Sequence, residues 1–329
     1  MSTHETPTHT TVPAQDPRER LVAVRSEVAK AVVGQDAAVT GLVIAMLVGG
    51  HVLLEGVPGV AKTLLVRCLA QALDVGTKRV QFTPDLMPGD VTGSLVYDAR
   101  TAEFSFREGP VFTNLLLADE INRTPPKTQA ALLEAMEEHQ VSVDGAARYL
   151  PSPFMVIATQ NPVEYEGTYP LPEAQLDRFL LKLELPLPGR DAEFGIVKRH
   201  RDGFNPLALA DAGVRPVASP ADIAAARGAA ARVDVSDTVL AYLVDVCRAT
   251  RESPSVRLGA SPRGATALLR TTRVWAFLQG RGFATPDDVK AMAAPTLAHR
   301  IGLRAEADLE GLTAARVVEG VLAQVPVPR

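Results

Sequence analysis

Gly56-Val57-Pro58-Gly59-Val60-Ala61-Lys62-Thr63 follows an apolar run at residues 51–55 and precedes a helical pattern at residues 64–73. A glycine-rich loop between a strand and a helix predicts a phosphate-binding loop. Glycine lets consecutive backbone N–H groups turn toward phosphate oxygens, and the helix amino terminus adds its positive dipole. We expect Lys62 to reach the β- and γ-phosphates and Thr63 to offer its hydroxyl to Mg²⁺. The loop therefore predicts a site for a nucleoside triphosphate with Mg²⁺.

One residue of this loop departs from the pattern G-x-x-x-x-G-K-[ST], because Ala61 stands at the second glycine. Alanine is tolerated there if the residue already has helical backbone geometry, in which case we expect the site to survive with tighter packing. The nucleotide-binding residues predicted from the loop are Gly56, Val57, Pro58, Gly59, Val60, Ala61, Lys62, Thr63 and Leu64.

Two carboxylates, Asp119 and Glu120, end the apolar run at residues 114–118. Such a run predicts a buried parallel strand that delivers both carboxylates at its carboxyl end. Asp119 is expected to hold the water shell of Mg²⁺, and Glu120 to polarise the water that attacks the γ-phosphate. The alternative is a strand followed by a solvated acidic turn. The position downstream of a phosphate-binding loop favours the catalytic interpretation.

Asn161 follows another apolar strand pattern, at residues 154–159. An amide at a strand end beside a γ-phosphate can orient water without competing as a base. An asparagine before a proline is also common in ordinary turns. Position in the fold decides between the two interpretations.

Several further segments resemble, together, the MoxR family of AAA+ ATPases over roughly residues 20–310. They are Gly34-Gln35, residues 119–123 leading into 125–138, residues 158–162, residues 173–179 and Ser261-Pro262-Arg263. The resemblance implies Walker A at residues 56–63, Walker B at Asp119 and Glu120, and sensor 1 at Asn161. It also implies an arginine finger at Arg178 and sensor 2 at Arg263, and adds Gly34 and Gln35 to the nucleotide-binding set. Ring assembly as a homo-hexamer is implied as well.

Arg263 draws attention independently, because it lies in the first turn of a helix begun by Ser261-Pro262. The positive end of the helix dipole disfavours an exposed cation there by about 0.3–1 kcal/mol. An anion held against the lid, such as the γ-phosphate, would offset this cost; the alternative is a surface arginine. Arg178 could form an ion pair with Asp177 or act on the neighbouring subunit's γ-phosphate, and Arg123 competes for that trans role.

The chain organisation predicts an α/β core with a parallel sheet, followed by an all-α lid, and the resemblance implies that this is a P-loop AAA+ core. We expect a disordered tail at residues 1–17, the nucleotide-binding domain at 18–186, a linker at 187–218 and the lid at 219–329. Three lid helices are predicted to begin after the N-cap residues Ser219, Ser261 and Thr285, each followed by proline.

Two hairpins are predicted to interrupt the core, one at residues 95–106 and one at residues 141–150. Alternating apolar residues indicate the first, and Asp144-Gly145 is a strong turn signal for the second. In the family resembled, these are the helix-2 insert and the insertion before sensor 1. We expect the first hairpin to couple ATP hydrolysis to a client; the alternative is surface decoration.

The composition agrees with a soluble cytoplasmic protein of about two domains. The 329 residues carry a formal net charge of −4, which does not favour nucleic acid as a partner. Cys68 and Cys247 lie in apolar helical patterns and are expected to be packing thiols. No membrane span and no secretory signal are predicted, and the histidines lack metal-ligand spacing.

The site residues predict an ATPase with ATP and Mg²⁺ as cofactors, and the resemblance implies a MoxR-like ATPase that remodels or matures client proteins in the manner of a chaperone. The family resembled often works with proteins that carry a von Willebrand factor A domain, so such a partner would be a separate chain. The motor subunit of a metal chelatase and a slowly hydrolysing, nucleotide-dependent scaffold are the alternatives.

Overall fold

The structure is a computed structural model that describes residues 16–100, 102–161 and 167–328. Residues 1–15 of the predicted tail lie outside the described residues. The first helix begins at Pro17, within the predicted tail, and Asp16 caps it by accepting a hydrogen bond from the backbone N–H of Arg18 at 2.9 Å. The described structure therefore includes residues 16 and 17 of the predicted tail.

Helices and strands alternate in the first half of the described residues, and helices dominate the second half. The α-helices are α1 (Pro17–Ala29), α2 (Asp36–Val48), α3 (Lys62–Ala72), α4 (Pro88–Thr92), α5 (Pro126–Glu138), α6 (Glu173–Leu176), α7 (Arg190–Arg201), α8 (Pro220–Ala231), α9 (Asp237–Glu252), α10 (Pro262–Leu278), α11 (Pro286–Leu297), α12 (Ala305–Leu309) and α13 (Ala314–Gln324). The strands are β1 (Val52–Glu55), β2 (Thr77–Gln81), β3 (Gly93–Asp98), β4 (Glu103–Glu108), β5 (Leu115–Asp119), β6 (Gln140–Val143), β7 (Ala146–Tyr149), β8 (Met155–Gln160), β9 (Leu181–Glu184), β10 (Val256–Leu258) and β11 (Gly302–Leu303).

The core is a five-stranded sheet in the order β2-β5-β8-β1-β9, and every pairing in it is parallel. Both faces are covered, which explains why its central strands are continuous apolar runs. Alternate residues of β5 enter different hydrophobic clusters: Leu115 and Leu117 pack with α1, α2, α3 and the helical half, whereas Leu116 packs with α5. The predicted α/β class is confirmed.

The three strands that bear predicted site residues lie side by side in this sheet. β1 leads into the glycine-rich loop, β5 ends at Asp119, and β8 ends one residue before Asn161. Because the strands are parallel, their carboxyl ends meet at one edge, where ligands commonly bind in open α/β sheets. The topology thus brings together residues that are about 100 positions apart in the chain.

The segment 187–218, predicted to be a linker, contains the twelve-residue helix α7. Its charges follow the helix dipole, with Asp191 and Glu193 in the first turn and four basic residues in the last turn. This charge distribution was the sequence signal for the helix. No residue of α7 is fully buried, so the helix lacked the apolar periodicity on which the prediction relied.

The three predicted lid helices begin as expected, at Pro220, Pro262 and Pro286. Ser219 and Asp222 form a capping box, and so do Thr285 and Asp288, while the Ser261 hydroxyl accepts from the backbone N–H of Gly264 at 3.2 Å. Each cap satisfies a backbone donor at the helix start, and proline preorganises the first turn.

Both predicted hairpins are present as antiparallel pairs, β3 with β4 and β6 with β7. Asp144 and Gly145 both have positive φ, of 52° and 73°, as a two-residue hairpin turn requires. The first hairpin leaves the core through a close crossing, where a Cβ on Gly109 would lie 2.3 Å from the carbonyl oxygen of Val91. Glycine is therefore needed at the base of the ribbon.

Candidate active site

A cavity of about 410 Å³ opens at the carboxyl edge of the sheet, and we call it the loop cavity. It is lined by Pro58, Gly59, Ala61, Lys62, Thr63, Leu64, Asp119, Glu120 and Asn161. Every one of these residues was predicted from the sequence to act on a nucleotide. The arrangement places a cation, two carboxylates, a hydroxyl and an amide around one space.

The glycine-rich loop approaches neighbouring backbone closely and turns sharply. A Cβ on Gly56 would lie 2.8 Å from the carbonyl oxygen of Leu185, and Gly59 has a φ of 87°. Glycine is needed at both positions, for space at the first and for backbone conformation at the second. The Lys62 ammonium donates to the carbonyl oxygen of Gly56, so its side chain folds over the loop.

The condition of helical geometry at Ala61 is not met, because its φ of 62° and ψ of 30° lie in the left-handed region. It is the N-cap of α3, and the chain needs this conformation to turn from the loop into the helix. A left-handed backbone costs an L-residue about 1–2 kcal/mol, a cost that glycine avoids. The sequence departure at this position is thus tolerated with backbone strain, not by helical geometry.

Asp119 is held by a hydroxyl and by an arginine. Its Oδ1 accepts from the Thr159 hydroxyl at 2.5 Å, and its Oδ2 accepts from Arg79 Nη2 at 2.7 Å and Nε at 3.0 Å. Thr159 is fully buried and its hydroxyl also accepts from the backbone N–H of Glu120 at 2.8 Å. One hydroxyl on β8 therefore orients both acidic residues at the end of β5.

Glu120 also has a left-handed backbone, with φ 58° and ψ 51°. Its Oε2 accepts from Gln81 Nε2 at 2.7 Å and from Arg123 Nη1 at 3.1 Å. Left-handed non-glycine residues cluster at functional sites, where surrounding contacts hold them. Arg123, one candidate for a trans role, thus contacts the catalytic candidate of its own chain.

Arg79 and Gln81 were missed by the sequence analysis, although both contact the predicted carboxylates. They lie on β2, and Gln81 pairs in register with Asp119 of the adjacent β5. Gln81 ends β2, so a polar residue at a strand end was the available signal for it, whereas Arg79 lies in the middle of the strand. Without the strand order, nothing indicated that β2 rather than another strand lies beside β5.

Asn161 is buried, with 6% of its surface exposed, and lines the loop cavity one residue after β8. Residues 162–166, including Pro162 of the predicted turn, lie outside the described residues. Asn161 thus lines the same cavity as Lys62 and Glu120, and its water-orienting role stays a prediction.

A second cavity, of about 180 Å³, adjoins the first and shares Gly59, Ala61 and Leu64 with it. We call it the α7 cavity. Its other lining residues are Ala31, Val32, Val33, Gln35, Val60, Pro188, Ile196, Arg199, His200 and Phe204. Largely apolar walls with few polar groups suit a nucleobase. α7, missed by the sequence analysis, supplies much of this wall.

Gly34 and Gln35 lie at the α7 cavity, at the turn before α2. Gln35 is buried and its Nε2 donates to the carbonyl oxygen of Pro186 at 3.2 Å. Gly34 has a φ of 77°, and a Cβ there would lie 3.6 Å from Ala192 of α7. Gln35 lines the cavity, whereas Gly34 shapes the turn that presents it.

Arg178 and Arg263 lie elsewhere, in a third cavity of about 220 Å³ that we call the arginine cavity. It contains Glu137, Asp177, Arg178, Arg263, Arg270 and Arg300 among its lining residues. Gly50 and His51, which precede β1, also line it, so it lies at the amino edge of the sheet. β1 has four residues and spans about 13 Å between the two edges.

The arginine cavity holds its cations against carboxylates. Arg178 Nε lies 3.1 Å from Glu137 Oε2, and Arg263 lies 3.4 Å from Glu137 Oε1 and 3.8 Å from Asp177 Oδ2. These carboxylates explain how a cation is tolerated in the first turn of α10. The structure does not bring Arg263 to the loop cavity of its own chain, because α10 begins beside the amino edge.

Thr63 and Asp119 supply two protein oxygens at the loop cavity, which fits Mg²⁺. This ion keeps several waters and binds mainly through substrate phosphates and one or two carboxylates. In the described ranges, no group of three or more His, Cys, Asp or Glu residues could hold a metal by itself. None of the described helices is both long and apolar enough to cross a membrane.

Comparisons with known proteins agree with this geometry. The family described as "ATPase family associated with various cellular activities (AAA)" matches residues 51–181, and "AAA lid domain" matches residues 248–321. Chaperone MoxR1 of Mycobacterium tuberculosis is 41% identical, over 92% of this chain and 81% of its own length. The uncharacterised protein YeaC of Bacillus subtilis is 48% identical, over 86% and 87%. A solved structure of a protein assigned as an ATPase, from Cytophaga hutchinsonii, superposes with a TM-score of 0.87 at 40% identity, over 95% and 96% of the two chains.

Proposed function

Since the chain belongs to the MoxR family of AAA+ ATPases, we propose that it hydrolyses Mg²⁺-bound ATP within a ring and thereby remodels client proteins. The observation that carries the proposal is the convergence of Lys62, Thr63, Asp119, Glu120 and Asn161 on the loop cavity. These residues come from three separate strand ends, so a chance cluster of turn residues does not account for them. The name of the relative MoxR1, a chaperone, supports the choice of protein clients.

Each residue has a role that follows from its chemistry. Lys62 neutralises the β- and γ-phosphates, and the backbone N–H groups of the glycine-rich loop bind their oxygens. Glu120 orients and polarises the attacking water, and Asn161 holds that water in line. Mg²⁺, when bound through Thr63 and the water shell at Asp119, neutralises charge on the transferred phosphoryl group.

The adenine base is expected to enter the α7 cavity. The two cavities meet at Gly59, Ala61 and Leu64, so a nucleotide can lie with its phosphates in one and its base in the other. Backbone atoms at residues 59–61 would lie along this path. α7 then closes the base side of the site.

Active sites in the ring are proposed to be shared between subunits. Arg178 and Arg263 lie at the amino edge of the sheet, about 13 Å of strand away from the loop cavity of the same chain. A neighbouring subunit can meet both arginines, where they would neutralise charge that develops on the γ-phosphate. Arg178 is favoured over Arg123 because Arg123 contacts Glu120 in cis. A closed homo-hexamer accommodates this head-to-tail contact.

Client contact is assigned to the first hairpin. Tyr97 and Phe104 are 53% and 68% exposed and are paired across β3 and β4, with ring centroids 5.1 Å apart and ring planes inclined by 52°. Exposed aromatic surface commonly marks a site of protein interaction. At the base of the hairpin, the Arg148 guanidinium of the second hairpin lies 4.0 Å from the ring centroid of Phe106. The two hairpins can therefore move as one unit. A separate protein with a von Willebrand factor A domain is a proposed partner.

The first test separates nucleotide binding from turnover. Lys62→Ala should abolish ATP binding, since the loop loses its ammonium, whereas Glu120→Gln should retain ATP and lose hydrolysis. Lys78→Ala and Glu138→Gln are matched controls at exposed positions and should leave both properties unchanged. Normal turnover by Glu120→Gln would contradict the assignment of the water-polarising carboxylate.

The second test addresses the shared site and the client. Arg178→Ala should bind ATP but lose on the order of 10³–10⁵ in rate. Mixing it with Lys62→Ala should restore activity, because an intact loop then meets an intact Arg178. A Glu120→Gln variant isolated from its own cell with ATP should retain the client. Recovery of chelatase subunits would favour the chelatase alternative, and negligible turnover with the client present would favour a scaffold.

A further inference from the structure

His299 and Arg300 form a buried pair in the lid, in a 3₁₀ turn directly after α11. The Arg300 side chain is only 4% exposed, which is rare for arginine. Neither residue was singled out in the sequence, and neither touches the loop cavity. Their contacts must explain why a charged group is buried there.

Arg300 binds the backbone segment on both sides of Arg178. Its Nε donates to Asp177 Oδ1 at 2.7 Å, and Nη2 donates to the carbonyl oxygen of Phe179 at 2.7 Å. Nη1 donates to the carbonyl oxygen of Leu180 at 3.1 Å, and Nη2 also reaches that of Asp177 at 3.3 Å. One guanidinium thus holds three backbone carbonyl groups, one before Arg178 and two after it.

The remaining contacts anchor this guanidinium in the lid. Arg300 Nη1 donates to the carbonyl oxygen of Thr296, one turn back along α11. His299 Nε2 lies 2.9 Å from the carbonyl oxygen of Phe179 and 2.9 Å from Arg300 Nη1. Burial lowers the pKa of His299 well below its usual value, so the ring is neutral. The lid therefore binds the segment 177–180 through hydrogen bonds from His299 and Arg300.

Stability alone does not account for Arg300. Burying a guanidinium carries a desolvation cost, and well-packed apolar residues often serve equally well. Burial lowers the pKa of Arg300, while its hydrogen bond to Asp177 raises it. The planar fork of arginine can bind several oxygens in fixed directions, which lysine cannot do. This geometry fixes the direction of a backbone segment.

We propose that Arg300 is a positioning residue for the trans arginine: it fixes the backbone that carries Arg178 and so makes finger geometry depend on the lid. The inference rests on the proposed trans role of Arg178. Arg263, in the same lid, also contacts Glu137 and Asp177, so the lid reaches the finger from two helices. Arg300 differs in that it binds the finger backbone directly.

The first experiment measures the change Arg300→Lys in the full chain. It keeps the positive charge and removes the multiple directed hydrogen bonds. A misplacement of about 1 Å can cost on the order of 10²-fold in rate, so kcat should fall by roughly 10- to 100-fold. ATP affinity should change by less than about 2-fold, since the loop cavity is untouched. Ring assembly should persist.

Arg281→Lys is the matched control. Arg281 is also a lid arginine paired to a carboxylate, that of Asp288 at the start of α11, but it has no contact with the segment 177–180. Its kcat should stay within about 2-fold of the wild type. Equal losses in both variants would show that any lid arginine matters and would overturn the proposal.

Mixed rings then assign Arg300 to one side of the interface. Arg300→Lys mixed with Lys62→Ala should regain activity, because an intact loop meets an intact finger. Mixed with Arg178→Ala it should not, because both variants are defective on the same side. The opposite pattern would place Arg300 in its own chain's site and overturn the proposal. If Arg178→Ala and Lys62→Ala fail to complement each other, the proposed shared site itself fails, and the role of Arg300 falls with it.

Asp177→Asn provides a second variant if Arg300→Lys does not fold. It keeps the side-chain shape and removes the charge that faces Arg300 Nε at 2.7 Å. Asp177 is partly exposed, with 24% of its side chain accessible, so the fold should survive. The same complementation pattern is expected. Unchanged kcat in this variant, with ATP binding intact, would contradict the inference.

Discussion

Ala61→Gly is expected to stabilise the nucleotide-free chain, although glycine usually destabilises the interior of a helix. Ala61 holds a φ of 62° and a ψ of 30°, in the left-handed region. Glycine would remove a backbone strain of about 1–2 kcal/mol from the folded state. Glycine also gives the unfolded chain more conformational freedom, which would lower stability by about 0.4–1 kcal/mol. The methyl group is exposed, so little apolar burial is lost. The net gain is about 0.5–1 kcal/mol.

Thermal unfolding without nucleotide measures this gain, and a rise in Tm of roughly 1–3 °C is expected for a chain of this size. Ala225→Gly is the matched control, because Ala225 is exposed in the middle of α8, a right-handed helix. The same chemical change there should cost about 0.5–1 kcal/mol and lower Tm. A fall in Tm for Ala61→Gly equal to that of the control would refute the assignment of strain to Ala61.

Three further outcomes are expected. Arg79→Ala should lower the Mg²⁺ concentration needed for nucleotide binding, because the arginine no longer competes with the ion for Asp119. The control Lys78→Ala should leave this concentration unchanged, and titration with a fluorescent nucleotide measures both variants. Replacement of residues 98–103 by Asn-Gly should preserve ATP turnover and abolish client remodelling in the same preparation, and loss of both would make the hairpin structural. Burial lowers the pKa of His51 to about 4, whereas the unfolded chain binds this proton at a pKa of about 6.5. The stability that neutral His51 contributes is therefore present above pH 6.5. It is lost as the pH falls from 6.5 toward 4, by up to about 1.4 kcal/mol per pH unit. Denaturant unfolding at pH 7 and pH 5 should therefore show a smaller difference for His51→Gln than for the wild type.

Local pattern predicted much of the fold and of the loop cavity. The glycine-rich loop between β1 and α3, the carboxylates at the end of β5 and the amide after β8 all follow from short-range signals. Parallel strands bring their carboxyl ends to one edge, so these signals predict one site without coordinates. The capped lid helices follow in the same way from Ser-Pro and Thr-Pro pairs.

Other features depended on contacts between distant parts of the chain. α7 has no buried face and was assigned as a linker, yet it lines the α7 cavity. Arg79 and Gln81 reach the carboxylates only because β2 is the neighbour of β5. The left-handed geometry of Ala61 was also missed, because the entry angle of α3 is set by packing against the sheet.

The arginines of the lid show most clearly which features depend on local sequence and which depend on tertiary packing. Ser261-Pro262 is sufficient to start α10 and to place Arg263 in its first turn, because capping is a local interaction. Packing of α10 beside the amino edge then turns Arg263 toward Arg178 and away from its own loop cavity. Arg300 meets the backbone at residues 177–180 across more than 100 positions of chain. Hydrogen-bond periodicity and capping act within a few residues, whereas burial of apolar faces selects which distant elements touch, and no short pattern encodes that choice.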